Sequence, residues 1–166
     1  DVAFRHVAAF QRAHDAAGRA MTLRVYTARV SYRGEDRFDV TRVTADKHRK
    51  AHGAAHPGEP FAPSWAILNP AIEHRDAVRR FLVDNQAAVV TLDGAMWRLY
   101  ERAYLAEMRE SCRRHRAAWE ALLRREVVTL CCFCTDATQC HRTALGHALA
   151  KLGAQYHGER TGTWTS

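Results

Sequence analysis

The chain has 166 residues, 47% of them hydrophobic and 26% charged. That composition excludes a disordered chain, and the length suits one domain able to bury roughly 70% of its unfolded surface. Lys and Arg number 25 against 18 Asp and Glu, giving a net charge of +7. The charge admits polyanionic partners, with a solvated, arginine-rich helix face as the plainer reading, and no apolar run nears the roughly 20 residues of a membrane span.

Residues 2–18 read as an amphipathic packing helix, with Phe4, Val7, Ala8 and Gln11 on one side and Gly18 near its end. Met21 to Val30 alternates as a first strand, and Arg37 to Val43 as a shorter one. Residues 45–62 read as a polar loop. His48, His52 and His56 recur every four residues as ligands on one helical face would, but Gly53, Pro57, Gly58 and Pro60 oppose such a helix. Ser64 is placed to cap a helix and Trp65 to anchor it. Pro70 interrupts the segment after Trp65, Asp76 to Val83 forms a short helix, and 87–92 is ambiguous between strand and helix end. Trp97, Tyr100, Tyr104 and Met108 form a stripe at helical spacing, a core face with base stacking as its functional alternative. A basic helix continues to Arg125, burying Trp119, Leu122 and Leu123.

The densest signal comes next. Val127 to Cys132 is an apolar, β-branched strand, Thr135 to Gln139 a polar loop, and Cys140-His141-Arg142 opens a helix that ends before Gly153. Ala154 to His157 is a last strand, closed by Gly158-Glu159-Arg160, and 161–166 is a frayed tail. A strand feeding a loop and a helix start is where α/β proteins build ligand sites. Four of the five cysteines sit here: Cys131, Cys132, Cys134 and Cys140. Their crowding argues against a secreted disulfide framework and for thiol or metal chemistry in a reducing, cytoplasmic setting.

Alternation gives Cys132 and Cys134 one face and turns Cys131 and Phe133 to the other, so Cys131 reads as a core residue. Cys140 lies at a helix start, where free N–H groups and the dipole favour a thiolate, with His141 and Arg142 as neighbouring cations. Cys112, alone in a polar helix, reads as exposed. Three readings stay open: an anion or nucleotide pocket with thiol chemistry, a zinc or iron–sulfur site of Cys132, Cys134, Cys140 and His141, or a non-catalytic interaction module.

At these residues the chain resembles a known family. Leu23-Arg-Val-Tyr-Thr-Ala-Arg29, Phe61-Ala-Pro-Ser-Trp65, the Trp97/Tyr100/Tyr104 helix, Val128-Thr-Leu-Cys-Cys-Phe-Cys134, Cys140-His-Arg142 and Gly158-Glu159 are similar to the domain-of-unknown-function 488 family over about residues 22–160. The resemblance implies an intracellular α/β domain of uncharacterised activity. Segment 70–92 has the look of an insertion, and Cys134 falls where relatives can carry a non-cysteine residue.

The expectation is therefore a single α/β, Rossmann-like domain with a short, mostly parallel sheet and a site at the strand ends. Residues 1–20 form its accessory helix and 22–160 its core. Cys140, Cys132 and His141 are the candidate catalytic residues. Arg142, Arg29 and Tyr26 are the candidate ligand contacts, because parallel neighbouring strands would bring their ends to one crevice. The partner expected is an acidic small molecule or nucleotide, with any nucleic-acid binding weak, sequence-indifferent and salt-sensitive, and no membrane.

Overall fold

The computed structural model describes Ala9 and residues 22–84 and 94–160. Apart from Ala9, the helix expected over 2–18 lies outside the described residues, as do segment 87–92 and the tail 161–166.

The sheet is parallel throughout these residues. Strand β1 (Arg24–Arg29) lies between β3 (Val127–Cys132) and β4 (Gln155–Glu159), and β2 (Arg37–Asp39) flanks β3, giving the order β2-β3-β1-β4. Residues 128–132 of β3 are all buried, as the apolar run requires of a central strand covered on both faces. Register pairs Val25 with Val128, Thr27 with Leu130 and Arg29 with Cys132. In a parallel pair, such partners share a face. Val25, Val128 and Leu130 pack into the main core, while Ala28 and Cys131 join Tyr32 in a smaller cluster on the reverse face.

Five α-helices accompany the sheet among the described residues: α1 (Arg42–His52), α2 (Trp65–Asp84), α3 (Gly94–Arg114), α4 (Arg116–Leu123) and α5 (His141–Lys151). The α3 stripe is core: Tyr100, Tyr104 and Met108 are buried, and the Tyr104 hydroxyl donates to the Phe61 carbonyl at 2.8 Å. Cys112 is buried on the same helix, against the expectation that it is exposed.

Four elements differ from expectation for local reasons. The polar stretch 45–62 begins as helix α1, because the Thr41 hydroxyl accepts from the Thr44 N–H at 3.1 Å and Gly53 closes it at φ 67°. The second strand stops at Asp39, two residues before that cap. Helix α2 runs through Pro70, which forfeits one hydrogen bond to a preceding carbonyl without ending the helix. Ser64 precedes α2, but its hydroxyl and N–H both donate to Glu107, so it ties α2 to α3 instead of capping. Finally, the long basic helix breaks at His115, which lets Trp119 turn inward. There its indole N–H donates to Ser111 at 3.2 Å and its ring meets Phe61 at 5.0 Å between centroids.

Candidate functional site

Strand β3 ends at Cys132, and the chain takes eight residues to enter α5, whose N-cap is Cys140. This short excursion folds Cys132, Cys134, Cys140, His141 and Arg142 together. The sulfurs of Cys132 and Cys134 lie 3.7 Å apart, and Cys132 Sγ lies 3.9 Å from His141 Nδ1. Ligand atoms of Cys132, Cys140 and His141 all fall within 4.8 Å of one another, and all three residues are buried. All five cysteines are free thiols.

His141 is oriented from both sides. Its Nε2 lies 2.9 Å from the Val40 carbonyl, which can only accept, so Nε2 carries the proton and Nδ1 keeps a lone pair toward the sulfurs. The Tyr100 hydroxyl sits 3.4 Å from that same Nδ1. Burial pushes the His141 pKa down, which keeps the ring neutral. The sequence offers it as a cation or as a metal ligand, and a buried neutral ring is not the cation.

The thiols differ in acidity. Hydrogen bonds from Cys134 and Cys140 hold the Cys132 thiol well below its ordinary value, outweighing burial. Burial and the bond to Cys132 hold Cys140 well above. Cys134 is raised as the donor to Cys132, and burial lifts Cys131 to about 11. The hydrogen bonds thus favour a thiolate at Cys132, at the strand end, whereas dipole reasoning favours one at Cys140, at the helix start. Cys131, on the reverse face, is a core residue as alternation requires.

Arg142 is wholly buried and internally spent. Its Nε and Nη2 donate to Glu159 at 3.2 and 2.9 Å, and Nη1 donates to the Cys134 carbonyl at 2.9 Å and to Cys140 Sγ at 3.3 Å. It fixes the cysteine loop and, wholly buried, presents no surface to an outside anion. Tyr26 lies on the reverse face, stacked on His157 and under the Arg160 guanidinium at 3.9 Å. Arg29 is exposed at the end of β1, level with Cys132, but does not line the cavity. The crevice between Arg29 and Arg142 is therefore not formed. Sequence alone cannot foresee that Glu159, 17 residues on, claims Arg142.

The cluster instead faces a cavity of about 480 Å³. Cys132, Cys134, Cys140 and His141 lie along it with Tyr100, and Trp65, Trp97 and Phe133 wall it. Arg42, Arg75 and Asp136 add charge. Phe133 lines this cavity because β3 has already ended and alternation no longer turns it away. The Trp97 and Tyr100 spacing is the one sequence signal for these walls; Asp136 comes with the loop between Cys134 and Cys140, but nothing in sequence joins Arg42 or Arg75 to the cysteines.

The three loop histidines also meet. His48 and His52 rings lie 4.6 Å apart and His48 and His56 5.1 Å, because Gly58 seats the turn on β2. A Cβ at Gly58 would fall 1.8 Å from the Asp39 carbonyl oxygen. His56 Nδ1 accepts from the Gly58 N–H at 3.0 Å and His48 Nδ1 contacts the Ala54 carbonyl at 3.2 Å, so the trio serves the turn.

A parallel α/β sheet carrying a thiol and imidazole cluster at its strand ends defines an α/β protein with a cysteine-centred pocket. The chain belongs to the DUF488-N3a family, described as the active DUF488-N3 subclade, whose model matches residues 10–153. No curated protein and no solved structure matches the chain. Among the described residues no helix is long and apolar enough to cross a membrane.

Proposed function

We propose that this protein is a thiol-dependent enzyme acting on a planar, phosphate-bearing ligand such as a nucleotide, with Cys132 as the nucleophile. The observation that carries the reading is the meeting of the sulfur cluster with an aromatic-walled cavity. Three thiols and a neutral imidazole lie along a space of about 480 Å³ whose walls include Trp65 and Phe133, 39% and 51% exposed. Such aromatic faces left in water beside a reactive group suit base stacking, worth roughly 1–3 kcal/mol per base.

In this reading the Cys132 thiolate attacks an electrophilic carbon of the ligand, and an S–C bond forms as the bond from that carbon to the leaving group breaks. The Cys140 or Cys134 thiol gives its proton to the leaving group; water then displaces Cys132 from the carbon and returns the proton to the donor thiol. His141 Nδ1 orients that exchange while Val40 holds its other nitrogen. Arg75, whose side chain is 42% exposed, supplies the phosphate contact that Arg142 cannot.

The test is protection of Cys132 from pulsed alkylation in metal-free, reduced protein, read by peptide mapping against a panel of nucleosides and nucleotides. Slower labelling of Cys132 with a nucleotide, and no such slowing with the matching nucleoside, is the expected result. Equal labelling with and without every member of the panel overturns the reading.

A further inference from the structure

The same cluster has the donors, spacing and support of a metal centre. A tetrahedral Zn²⁺ with bonds of about 2.3 Å to sulfur and 2.0–2.1 Å to nitrogen separates two sulfurs by about 3.8 Å and a sulfur and a nitrogen by about 3.6 Å. The Cys132 and Cys134 sulfurs lie 3.7 Å apart, and Cys132 Sγ lies 3.9 Å from His141 Nδ1. Cys140 Sγ joins Cys132 and His141 in a buried trio whose ligand atoms all lie within 4.8 Å of one another, with Cys134 beside it through Cys132.

The surroundings are those that metal ligands need. His141 gives its Nε2–H to the Val40 carbonyl at 2.9 Å, which fixes the ring and leaves Nδ1 as the free donor. Arg142 Nη1 donates to Cys140 Sγ at 3.3 Å, a bond that a metal-bound thiolate accepts and that tempers the charge of three thiolates on one divalent ion. The same nitrogen holds the Cys134 carbonyl, so only the Cys134 side chain has to turn to become the fourth donor. The cavity gives an ion a route in from solvent.

We infer that Cys132, Cys134, Cys140 and His141 form a tetrahedral site for Zn²⁺ or a cation of the same thiophilic class. Binding forms three metal–sulfur bonds and one metal–nitrogen bond and releases to solvent whatever thiol protons remain. The site goes beyond the thiol reading and shares its sulfurs. The loaded form has no free Cys132 thiolate, so metal-loaded and metal-free protein are two states of one pocket, and zinc holds the thiol chemistry off.

The full chain, reduced and stripped with chelator, is titrated with Zn²⁺ and, in parallel, with Co²⁺. The result expected is one retained zinc per chain after gel filtration, and a tetrahedral cobalt spectrum with intense sulfur-to-metal charge-transfer bands. Cys134→Ser, at the half-buried end of the set, should weaken retention at least about tenfold with the fold intact by circular dichroism. Cys112→Ser, outside the set, should leave it unchanged. Substoichiometric zinc in the parent, an octahedral cobalt spectrum, or equal losses in Cys134→Ser and Cys112→Ser would each overturn the inference. Nucleotide protection of metal-free Cys132 is read without any ion, so either proposal can fail alone.

Discussion

Glu159 and Arg160 are neighbours at the end of β4, and they serve opposite faces of the sheet. Glu159 receives Arg142 at 2.9 Å on the face that carries the sulfur cluster. Arg160 donates to Asp36 at 2.8 Å and to Thr129 Oγ1 at 2.9 Å on the face that carries Tyr26 and Cys131. There Asp36 also accepts from Thr129 at 2.6 Å and from the Tyr32 hydroxyl, so the network closes on itself. A wider groove of about 730 Å³ runs along this face, lined by Tyr26, Asp36 and Arg160 with no sulfur in it. The cysteine face ends differently. Arg142 is satisfied, but the thiols and His141 have only long, weak contacts to each other beside the smaller cavity. One polar cluster is closed and holds the sheet together; the other is left with reactive lone pairs beside empty space. That difference is the reason for proposing function on the cysteine face although the other face also carries an open groove.

The sharpest way to break this comparison is to remove Arg142. Arg142→Ala leaves Glu159 facing a hole with its side chain only 26% exposed. Loss of one partner of a buried pair costs about 3–5 kcal/mol, with the lower figure favoured because Glu159 keeps some contact with water. Urea denaturation should register a larger loss than for any single substitution on the reverse face. A loss under about 1 kcal/mol would mean that Arg142 is not the internal tie described.

The equivalent change on the reverse face is Asp36→Asn, with an expected cost of about 2 kcal/mol at neutral pH. Burial alone would raise the Asp36 pKa, but hydrogen bonds from Thr129 and Tyr32 and the Arg160 charge bring it below its ordinary value. A carboxylate with a depressed folded pKa contributes stability above its unfolded pKa of about 3.9 and loses it as pH falls through the folded value. The stability gap between Asp36→Asn and the parent should therefore narrow steadily below about pH 4. A gap independent of pH down to 2 would remove the carboxylate charge from the account.

Much of the fold is legible in the sequence, and the pattern of success is physical. Strand β3, the turn to Cys140 and the core stripe on α3 follow from periodicity and turn chemistry, both of which are local. The parallel sheet follows from strands that alternate with helices. The partner of Arg142 is not legible, because Glu159 reaches it only through the register of β4 on β1. The cavity walls are not legible either: Arg75 lines the same cavity as the cysteines only through the docking of α2 beside the loop. Dipole reasoning favours Cys140 because it treats one thiol at a time. Three sulfurs within hydrogen-bonding reach decide among themselves which one ionises.

A smaller effect is expected where α5 sits on β4, the seating that aims Arg142 at Glu159. A Cβ at Gly146 would lie 2.7 Å from Tyr156 Cε2, on a ring tied to Thr27 Oγ1 at 3.3 Å and edged by His147. Gly146→Ala gains about 1 kcal/mol of helix propensity and meets an overpacking cost of about 1–3 kcal/mol. The net expectation is a loss of about 1 kcal/mol, measured in the same urea series. A stabilised Gly146→Ala would mean that Tyr156 yields easily and that the helix is loosely seated.

The smallest effect on stability, and the most telling for function, belongs to Trp65. Its ring is 39% exposed at the cavity wall, and its indole N–H donates to Asp46 at 2.7 Å near the surface. Removing it breaks one exposed hydrogen bond and little packing, so Trp65→Ala should cost only about 0.5–1 kcal/mol in urea. If the ring is there for a planar ligand, its loss should appear elsewhere. Stacking worth roughly 1–3 kcal/mol per base corresponds to about a tenfold or greater loss of affinity. The nucleotide concentration that half-protects Cys132 from alkylation should rise accordingly. A wall residue that changed stability by several kcal/mol, with protection unaltered, would belong with the closed network of the reverse face. A Trp65→Ala protein that is as stable as the parent but blind to nucleotide would leave the cysteine face as the one built for a ligand.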